Sequence, residues 1–136
     1  MTLQKICILG AGTLGSRVAL QSAISGFSVS IFDLKQASLD SALLTMQKIL
    51  RQLVRAGNLT ESQVPAILQR VQPTLDLSQA LKGAYLVNES VTEDVTIKKA
   101  LWTQVGQLAD TNTWLTTNTS YLLPSQFAEE TGRPQQ

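Results

Sequence analysis

The stretch Lys5-Ile6-Cys7-Ile8-Leu9-Gly10-Ala11-Gly12-Thr13-Leu14-Gly15-Ser16 decides the fold of this chain. Consecutive apolar residues, which suit a strand covered on both faces of a parallel sheet, run directly into the pattern G-x-G-x-x-G. In such a turn the first glycine permits a tight bend and the second lets the backbone approach a pyrophosphate. The third lets the following helix pack close to the strand. The N-terminus of that helix would direct its free N–H groups toward the phosphates.

The residues after the glycines complete a βαβ unit of the dinucleotide-binding type. An amphipathic helix is expected over residues 14–24, with Gly26 as its C-cap, followed by a strand over residues 27–32. Asp33 ends that strand, about 20 residues beyond the glycines, where an acidic residue can bind the ribose hydroxyls. Because a carboxylate there repels a 2′-phosphate, Asp33 predicts NAD rather than NADP, although Lys35 lies close by. The alternative is a structural glycine turn with a surface aspartate.

Composition narrows the class of protein. The 136 residues suffice for one domain with a sizeable core, but not for a dinucleotide-binding domain plus a full substrate domain. A net charge of +1, with both signs mixed, predicts neither a nucleic-acid nor a membrane partner. No apolar run approaches the ~20 residues of a membrane span, and no signal peptide is expected before the first strand. The single cysteine, Cys7, is predicted to be buried and reduced in a cytoplasmic protein.

The chain contains no histidine. Enzymes that oxidise an alcohol usually need a group that titrates near neutral pH to accept the hydroxyl proton, and histidine is the usual choice. Either another group does this work or the base lies outside this polypeptide.

A helical hairpin is predicted after the second strand. Apolar residues recur with helical spacing over residues 38–55, and Gly57-Asn58 end the pattern. Thr60, with Gln63 three residues later, predicts a capping box and a second helix to about residue 70. The hairpin is either purely structural or a surface on which part of the substrate docks, and the sequence leaves both open.

The rest of the chain alternates strands and helices. The expected elements are a short edge strand over residues 71–74 that contains Pro73, a helical turn over 78–81, a strand over 84–87, a helix over 94–108, a strand over 114–117 and a short helix from Pro124 to Glu130 closed by Gly132. The long helix would bury Val95, Ile97, Leu101, Trp102, Val105 and Leu108.

This alternation predicts an α/β, Rossmann-type three-layer fold: a mostly parallel, doubly wound sheet with a helical-hairpin insertion after the second strand. Ligands of such sheets bind at the carboxyl ends of the strands. That rule selects the glycine turn, Asp33, residues 90–93 and residues 118–120. No metal site is predicted.

With these clusters, the chain resembles the NAD-binding domain of the 3-hydroxyacyl-CoA dehydrogenase family, of the 3-hydroxybutyryl-CoA dehydrogenase type. The resemblance covers essentially the whole chain. It rests on residues 10–15, Asp33, residues 56–61, residues 88–93 with Lys98, and residues 117–120. The N-T-S sequence at 118–120 is its most specific part. The λ-crystallins and the L-gulonate and carnitine dehydrogenases share the character of residues 122–125.

The resemblance implies a role for each matched residue. The glycine turn would cradle the pyrophosphate, Asp33 would hold the adenosine ribose, and Glu93 and Lys98 would line the nicotinamide end. Ser120 matches the catalytic serine that hydrogen-bonds the 3-hydroxyl or 3-keto oxygen of the substrate. The implied cofactor-binding residues are Gly10, Ala11, Gly12, Thr13, Leu14, Gly15, Asp33, Val91, Glu93, Lys98 and Asn118.

The resemblance also implies parts beyond Gln136. These are a histidine base on the next strand, a glutamate that orients it, and a helical domain that completes the acyl-CoA site and the dimer interface. Residues 1–136 are therefore expected to be one NAD-binding domain, inactive alone, of a cytoplasmic homo-oligomer. The whole enzyme would interconvert L-3-hydroxyacyl-CoA and 3-ketoacyl-CoA by hydride transfer in fatty-acid and butanoate metabolism.

Two departures make an acyl-CoA substrate less firmly implied than NAD. Tyr121 replaces a small residue, and Ile49 lies near a position where some relatives use serine to contact coenzyme A. The alternatives are a non-catalytic NAD(H)-binding or structural module similar to λ-crystallin, and a dehydrogenase of a related hydroxy acid such as L-gulonate or carnitine. Without the resemblance, Ser120 would cap a turn, Glu93 would complement a helix dipole, and Lys98 would lie on a solvated helix face.

Overall fold

The computed structural model describes residues 3–136, which form a five-stranded parallel sheet in the order β3-β2-β1-β4-β5. The strands are β1 (Lys5–Leu9), β2 (Ser28–Phe32), β3 (Val71–Thr74), β4 (Ala84–Glu89) and β5 (Trp114–Thr117). The chain begins at the centre, proceeds outward through β2 and β3, and then crosses to β4 and β5 on the other side. The strand order therefore reverses next to β1, which is where ligands bind in sheets of this type.

Helices cover both faces of this sheet. They are α1 (Thr13–Ile24), α2 (Gln36–Arg55), α3 (Val64–Gln69), α4 (Leu77–Leu81) and α5 (Val95–Leu108). Successive residues of β1 enter opposite cores, because side chains alternate along a strand. Ile8 packs with α1 and α2, whereas Cys7 and Leu9 pack with α4 and α5. The predicted three-layer α/β fold is confirmed.

Several local predictions are also confirmed. The Thr60 amide donates to Gln63 Oε1 at 2.8 Å, as expected for a capping box, although the helix starts with a 3-10 turn (Glu61–Gln63) before α3. Strand β3 lies at the edge of the sheet, and no strand in the described part of the chain pairs with its outer side. The missing N–H of Pro73 is therefore tolerated there. Cys7 is fully buried. Within residues 3–136, no helix combines the length and apolar character needed to cross a membrane.

The predicted helix from Pro124 to Glu130 is wrong. Two 3-10 turns, Pro124–Gln126 and Ala128–Thr131, replace it, and Phe127 between them has a φ of −140°. Phe127 is buried, with its ring parallel to that of Trp102 at a centroid distance of 6.4 Å. Leaving the helical conformation at Phe127 allows this stacking.

The predicted buried face of α5 is partly wrong. Ile97 and Leu108 are about half exposed, whereas Lys98 is completely buried. The inward stripe of α5 consists of Lys98, Trp102 and Val105, with the spacing i, i+4, i+7. The interpretation of Lys98 as part of a solvated helix face is therefore excluded.

Candidate cofactor and substrate site

A cleft of about 600 Å³ lies at the carboxyl end of the sheet, where the strand order reverses. It runs from the glycine turn and the end of β2 to the start of α5. Gly10, Gly12, Asp33, Ser90 and Val91 line it. Three of the four sequence-selected clusters thus border one cavity.

Each of the three glycines of the turn occupies its position for a different structural reason. Gly10 has a φ of +99°, and a β-carbon there would lie 2.7 Å from the Ser90 carbonyl oxygen. At Gly15 a β-carbon would lie 1.9 Å from the Gly10 carbonyl oxygen, so α1 packs directly against the end of β1. At Gly12 a β-carbon would meet no atom within 4 Å. The space in front of Gly12 is open, as an approaching pyrophosphate requires, and the exposed first residues of α1, Thr13 and Leu14, flank it.

Asp33 is joined to the glycine turn by hydrogen bonds. Its Oδ2 accepts from the amide of Ala11 at 3.0 Å, and its Oδ1 accepts from the amide of Lys35 at 3.0 Å. Each oxygen keeps a further lone pair, so the carboxylate is fixed and can still accept from two hydroxyl groups. This geometry fits an adenosine ribose next to a pyrophosphate on the turn.

A second cluster lies at the ends of β4 and β5. The side chains of Glu89 and Lys98 are fully buried, and Lys98 Nζ lies 2.5 Å from Glu89 Oε1. The other oxygen of Glu89 accepts from the hydroxyl of Thr117 at 2.5 Å. A carboxylate without such partners would be very costly to bury at this depth.

Glu93 links this cluster to the loop after β5. Its Oε1 lies 3.4 Å from Lys98 Nζ, and its Oε2 accepts from the hydroxyl of Thr119 at 2.5 Å. The Thr119 hydrogen bond is the main cause that lowers the pKa of Glu93 below its ordinary value, and the charge of Lys98 acts in the same direction. Glu93 is therefore a carboxylate at neutral pH.

Asn118 and Ser90 connect the second cluster to the cleft. The side-chain amide of Asn118 donates to Asn88 Oδ1 at 2.8 Å and to Ser90 Oγ at 2.7 Å. The backbone of Ser90, in turn, donates to the Leu9 carbonyl and touches the glycine turn at Gly10. The N-T-S segment is thus held next to the glycine turn.

Ser120 is exposed on the loop that follows, and its hydroxyl has no hydrogen-bond partner among residues 3–136. The local capping roles belong to its neighbours. Thr117 Oγ1 accepts from the Thr119 amide, and Thr119 Oγ1 accepts from the Leu122 amide. Ser120 therefore does not cap the turn, and its hydroxyl is available to another molecule.

Sequence reasoning assigned no role to Glu89 or Thr117, although both lie in segments that carry the resemblance, and it did not find their pairing with Lys98 and Thr119. A signal for the pair existed at Lys98, which precedes Trp102 by four residues and Val105 by seven on the buried stripe of α5. A lysine at that register position requires a buried carboxylate, and Glu89 at the end of β4 supplies it.

Residues 5–136 match the family model of the 3-hydroxyacyl-CoA dehydrogenase NAD binding domain. The chain belongs to this family. It is 32% identical to 3-hydroxyadipyl-CoA dehydrogenase of Escherichia coli over 99% of this chain and 28% of that protein. It is 31% identical to the human lambda-crystallin homolog over 90% of this chain and 39% of that protein. The crystal structure of (S)-3-hydroxybutyryl-CoA dehydrogenase from Ralstonia eutropha superposes with a TM-score of 0.92 at 26% identity, covering 98% of this chain and 47% of that one.

The predicted family and its cofactor, NAD, are thereby confirmed. This chain spans only 28% and 39% of the lengths of these two curated relatives.

Proposed function

We propose that this chain is the cofactor domain of an NAD-dependent dehydrogenase that interconverts L-3-hydroxyacyl-CoA and 3-ketoacyl-CoA by hydride transfer, in fatty-acid and butanoate metabolism. One observation carries the proposal. Asp33 and the glycine turn border one cleft and are hydrogen-bonded to each other through the Ala11 amide. Relatives named as 3-hydroxyadipyl-CoA and 3-hydroxybutyryl-CoA dehydrogenases support the acyl-CoA substrate.

The cofactor-binding residues fall into two groups. The glycine turn from Gly10 to Gly15, with Ala11, Thr13 and Leu14, would hold the pyrophosphate through backbone amides and the N-terminus of α1. Asp33 would accept from the ribose hydroxyls. The residues at the nicotinamide end would be Val91, Glu93, Lys98 and Asn118, with the fully buried Lys98 acting there through the residues that it holds.

Ser120 would hydrogen-bond the reacting oxygen of the substrate, and its uncommitted hydroxyl supports this role. Residues 1–136 contain no histidine, so the histidine base of the proposed reaction would come from outside them. Loss of a general base costs about 10²–10⁴-fold in rate, so we expect negligible turnover from this chain alone.

We further propose that residues 1–136 form one domain, that a helical domain outside them completes the acyl-CoA site, and that the whole protein is a homo-oligomer. A cytoplasmic location is consistent with a buried Cys7 whose thiol is free.

A titration with NADH tests the cofactor site. Trp102 and Trp114 are excited, and energy transfer to the nicotinamide is followed, with NADPH in parallel. We expect saturable NADH binding that Asp33→Ala weakens by about 10–100-fold, since hydrogen bonds to a charged group contribute about 1.5–3 kcal/mol. Lys35→Ala is the matched control for a change of charge nearby. If Lys35→Ala weakened NADPH binding much more than NADH binding, the preference for NAD would be contradicted.

The role of Ser120 is tested in a protein that includes the histidine-bearing part, by following acetoacetyl-CoA reduction. Ser120→Ala should lower kcat, whereas Ser125→Ala, at another exposed serine of the same segment, should not. Equal effects of both substitutions would exclude a specific role for Ser120. Turnover by residues 1–136 alone, near the rate of the longer protein, would overturn the assignment of the base.

The second candidate function is a non-catalytic NAD(H)-binding or structural module. The human lambda-crystallin homolog, at 31% identity, favours it. The open reading frame after codon 136 decides between the two: a further strand bearing histidine indicates the enzyme, and a stop codon indicates the module. A related hydroxy acid such as L-gulonate or carnitine is the alternative substrate.

A further inference from the structure

The carboxylate of Glu89 joins four segments of the chain. From the end of β4, its Oε1 accepts from Lys98 Nζ on α5 at 2.5 Å and from the Val91 amide at 2.8 Å. Its Oε2 accepts from the hydroxyl of Thr117 on β5 at 2.5 Å. Glu89 has no exposed surface. The carboxylate thus accepts from three donors of the protein and is shielded from solvent.

The ammonium group of Lys98 is committed within the chain. Its Nζ donates to Glu89 Oε1 at 2.5 Å and to the Val91 carbonyl at 3.3 Å, and it lies 3.4 Å from Glu93 Oε1 as an ion pair. The side chain of Lys98 has no exposed surface, so its ammonium group is not accessible to a ligand. Lys98 therefore acts on the cofactor end by holding residues 91 and 93, not by contacting the cofactor through its ammonium group.

Glu93 carries this arrangement across to the second loop. One of its oxygens faces Lys98 and the other accepts from Thr119 at 2.5 Å, next to Ser120. Thr117 reaches the same loop from the other side, because its hydroxyl donates to Glu89 and accepts from the Thr119 amide. Two separate paths thus connect Glu89 to Thr119.

We propose that Glu89 is a positioning residue of the dehydrogenase: through Lys98 and Thr117, it holds residues 90–93, beside the cofactor cleft, in a fixed position against residues 118–120. This inference rests on the proposed function and deepens it. Replacing a buried ion pair by apolar residues is often neutral for stability, so the value of this pair lies in the geometry that its directed hydrogen bonds impose.

The test separates positioning from stability by neutralising both partners. Glu89→Gln alone leaves the buried ammonium without a counter-charge and should destabilise the fold. The double variant Glu89→Gln/Lys98→Met has no orphaned charge and should recover most of that stability. Thr117→Val is the milder variant, since it removes one hydroxyl and keeps the ion pair. The matched control is Glu130→Gln, which breaks the other ion pair of α5, Lys99–Glu130 at 3.0 Å.

Two readouts on the 136-residue chain decide the outcome. The first is NADH affinity, which should stay at least about tenfold reduced in the double variant although stability returns, a loss of about 1.4 kcal/mol. The second is hydrogen exchange of the Thr119 and Leu122 amides, which should become at least about tenfold faster in the double variant and in Thr117→Val, because local opening sets the exchange rate. The Glu130→Gln protein should keep the NADH affinity and the exchange rates of the unsubstituted chain. In every variant, the amides of α1 should exchange at unchanged rates.

Recovery of NADH affinity together with stability, with unchanged exchange at Thr119, would overturn the proposal and leave Glu89 as a structural residue. Failure of the unsubstituted chain to bind NADH would instead contradict the proposed function. In that case, the exchange rates of Thr119 and Leu122 would still confirm or refute the positioning role.

Discussion

A β-carbon added to Gly15 would lie 1.9 Å from the carbonyl oxygen of Gly10. The first turn of α1 is therefore in direct backbone contact with the end of β1. This contact fixes the direction of the helix N-terminus relative to the cleft, and it explains why the third glycine of the motif is needed for packing.

Gly15→Ala should destabilise the fold. The obstacle is a backbone oxygen, which cannot rotate away as the end of a side chain could. Overpacking of this kind costs about 1–3 kcal/mol, and occasionally more. With an m-value of about 1–3 kcal/mol/M, the urea midpoint followed by circular dichroism should fall by about 1 M. An unchanged midpoint would show that α1 can shift freely against β1.

Gly12→Ala should leave the stability of the fold almost unchanged but weaken NADH binding. Gly12 has a φ of −73° and a ψ of −168°, which any residue can adopt, and its β-carbon would meet no atom within 4 Å. Stability should stay within about 0.5 kcal/mol, as for ordinary surface substitutions. NADH affinity should fall at least about tenfold, because the methyl group occupies the space where the backbone approaches the pyrophosphate. Unaltered NADH affinity would exclude close approach of the pyrophosphate at Gly12.

The cofactor half of the site could be predicted from the sequence because its signal is local. Gly10, Gly12, Gly15 and Asp33 lie on one βαβ unit, and each has a requirement that is visible in a short window. The strand order places Asp33 beside the glycine turn, and the Ala11 amide confirms that proximity.

The segments of the second cluster were selected from the sequence, but their pairing was not, because each pair spans different elements. Glu89 meets Lys98 only when α5 packs on the sheet, and it meets Thr117 only when β5 pairs with β4. The resemblance marked Lys98 as a site residue, but it did not show that the ammonium is buried and paired with Glu89. Likewise, the 3-10 turns around Phe127 depend on stacking with Trp102, a tertiary contact that overrides the helical pattern.

Cys7 should be unreactive in the folded chain. Burial raises the pKa of its thiol to about 11, against the opposing effects of the Ser30 hydrogen bond and the nearby Lys5. Alkylation by iodoacetamide at pH 8 should therefore be slow and limited by unfolding, and fast in urea. Because Cys7 is the only cysteine, mass spectrometry reports on a single site. Rapid alkylation without denaturant would contradict the burial of Cys7.

The same raised pKa predicts the direction of the alkaline stability change. The unfolded thiol loses its proton near its ordinary value of 9.0, whereas the folded thiol keeps it to about 11. The unfolded state then binds fewer protons, so the contribution of Cys7 is complete below pH 9 and declines as the pH rises toward 11.

Glu93 should make the stability of the fold depend on pH in the acid range. Its lowered pKa, due first to the Thr119 hydrogen bond, means that the stabilisation is present above the ordinary value of 4.5 and is lost as the pH falls through the folded value. Thr119→Val should shift the pKa of Glu93 upward, as measured by NMR titration of the carboxyl carbon. Glu130, whose pKa is lowered mainly by its hydrogen bond with Lys99, is the internal control and should not shift. An unchanged Glu93 titration in Thr119→Val would exclude the hydrogen bond as the cause.

Gly106→Ala should weaken the fold without affecting the cofactor site. A β-carbon at Gly106 would lie 2.0 Å from the Thr131 carbonyl oxygen and 2.8 Å from the Thr131 α-carbon, so it would push the C-terminal segment away from α5. That segment is also attached by Arg133, whose guanidinium donates to the Gly106 and Ala109 carbonyls at 3.0 and 2.8 Å. We expect a loss of about 1–3 kcal/mol in urea unfolding, the usual cost of overpacking. NADH affinity should stay within about twofold, since distant sites act independently.

Gln107→Ala, at the next and exposed position, is the matched control and should change neither the stability nor the NADH affinity. A large loss of NADH affinity in Gly106→Ala, measured where the variant is fully folded, would instead show that the C-terminal segment and the cofactor cleft are coupled through α5.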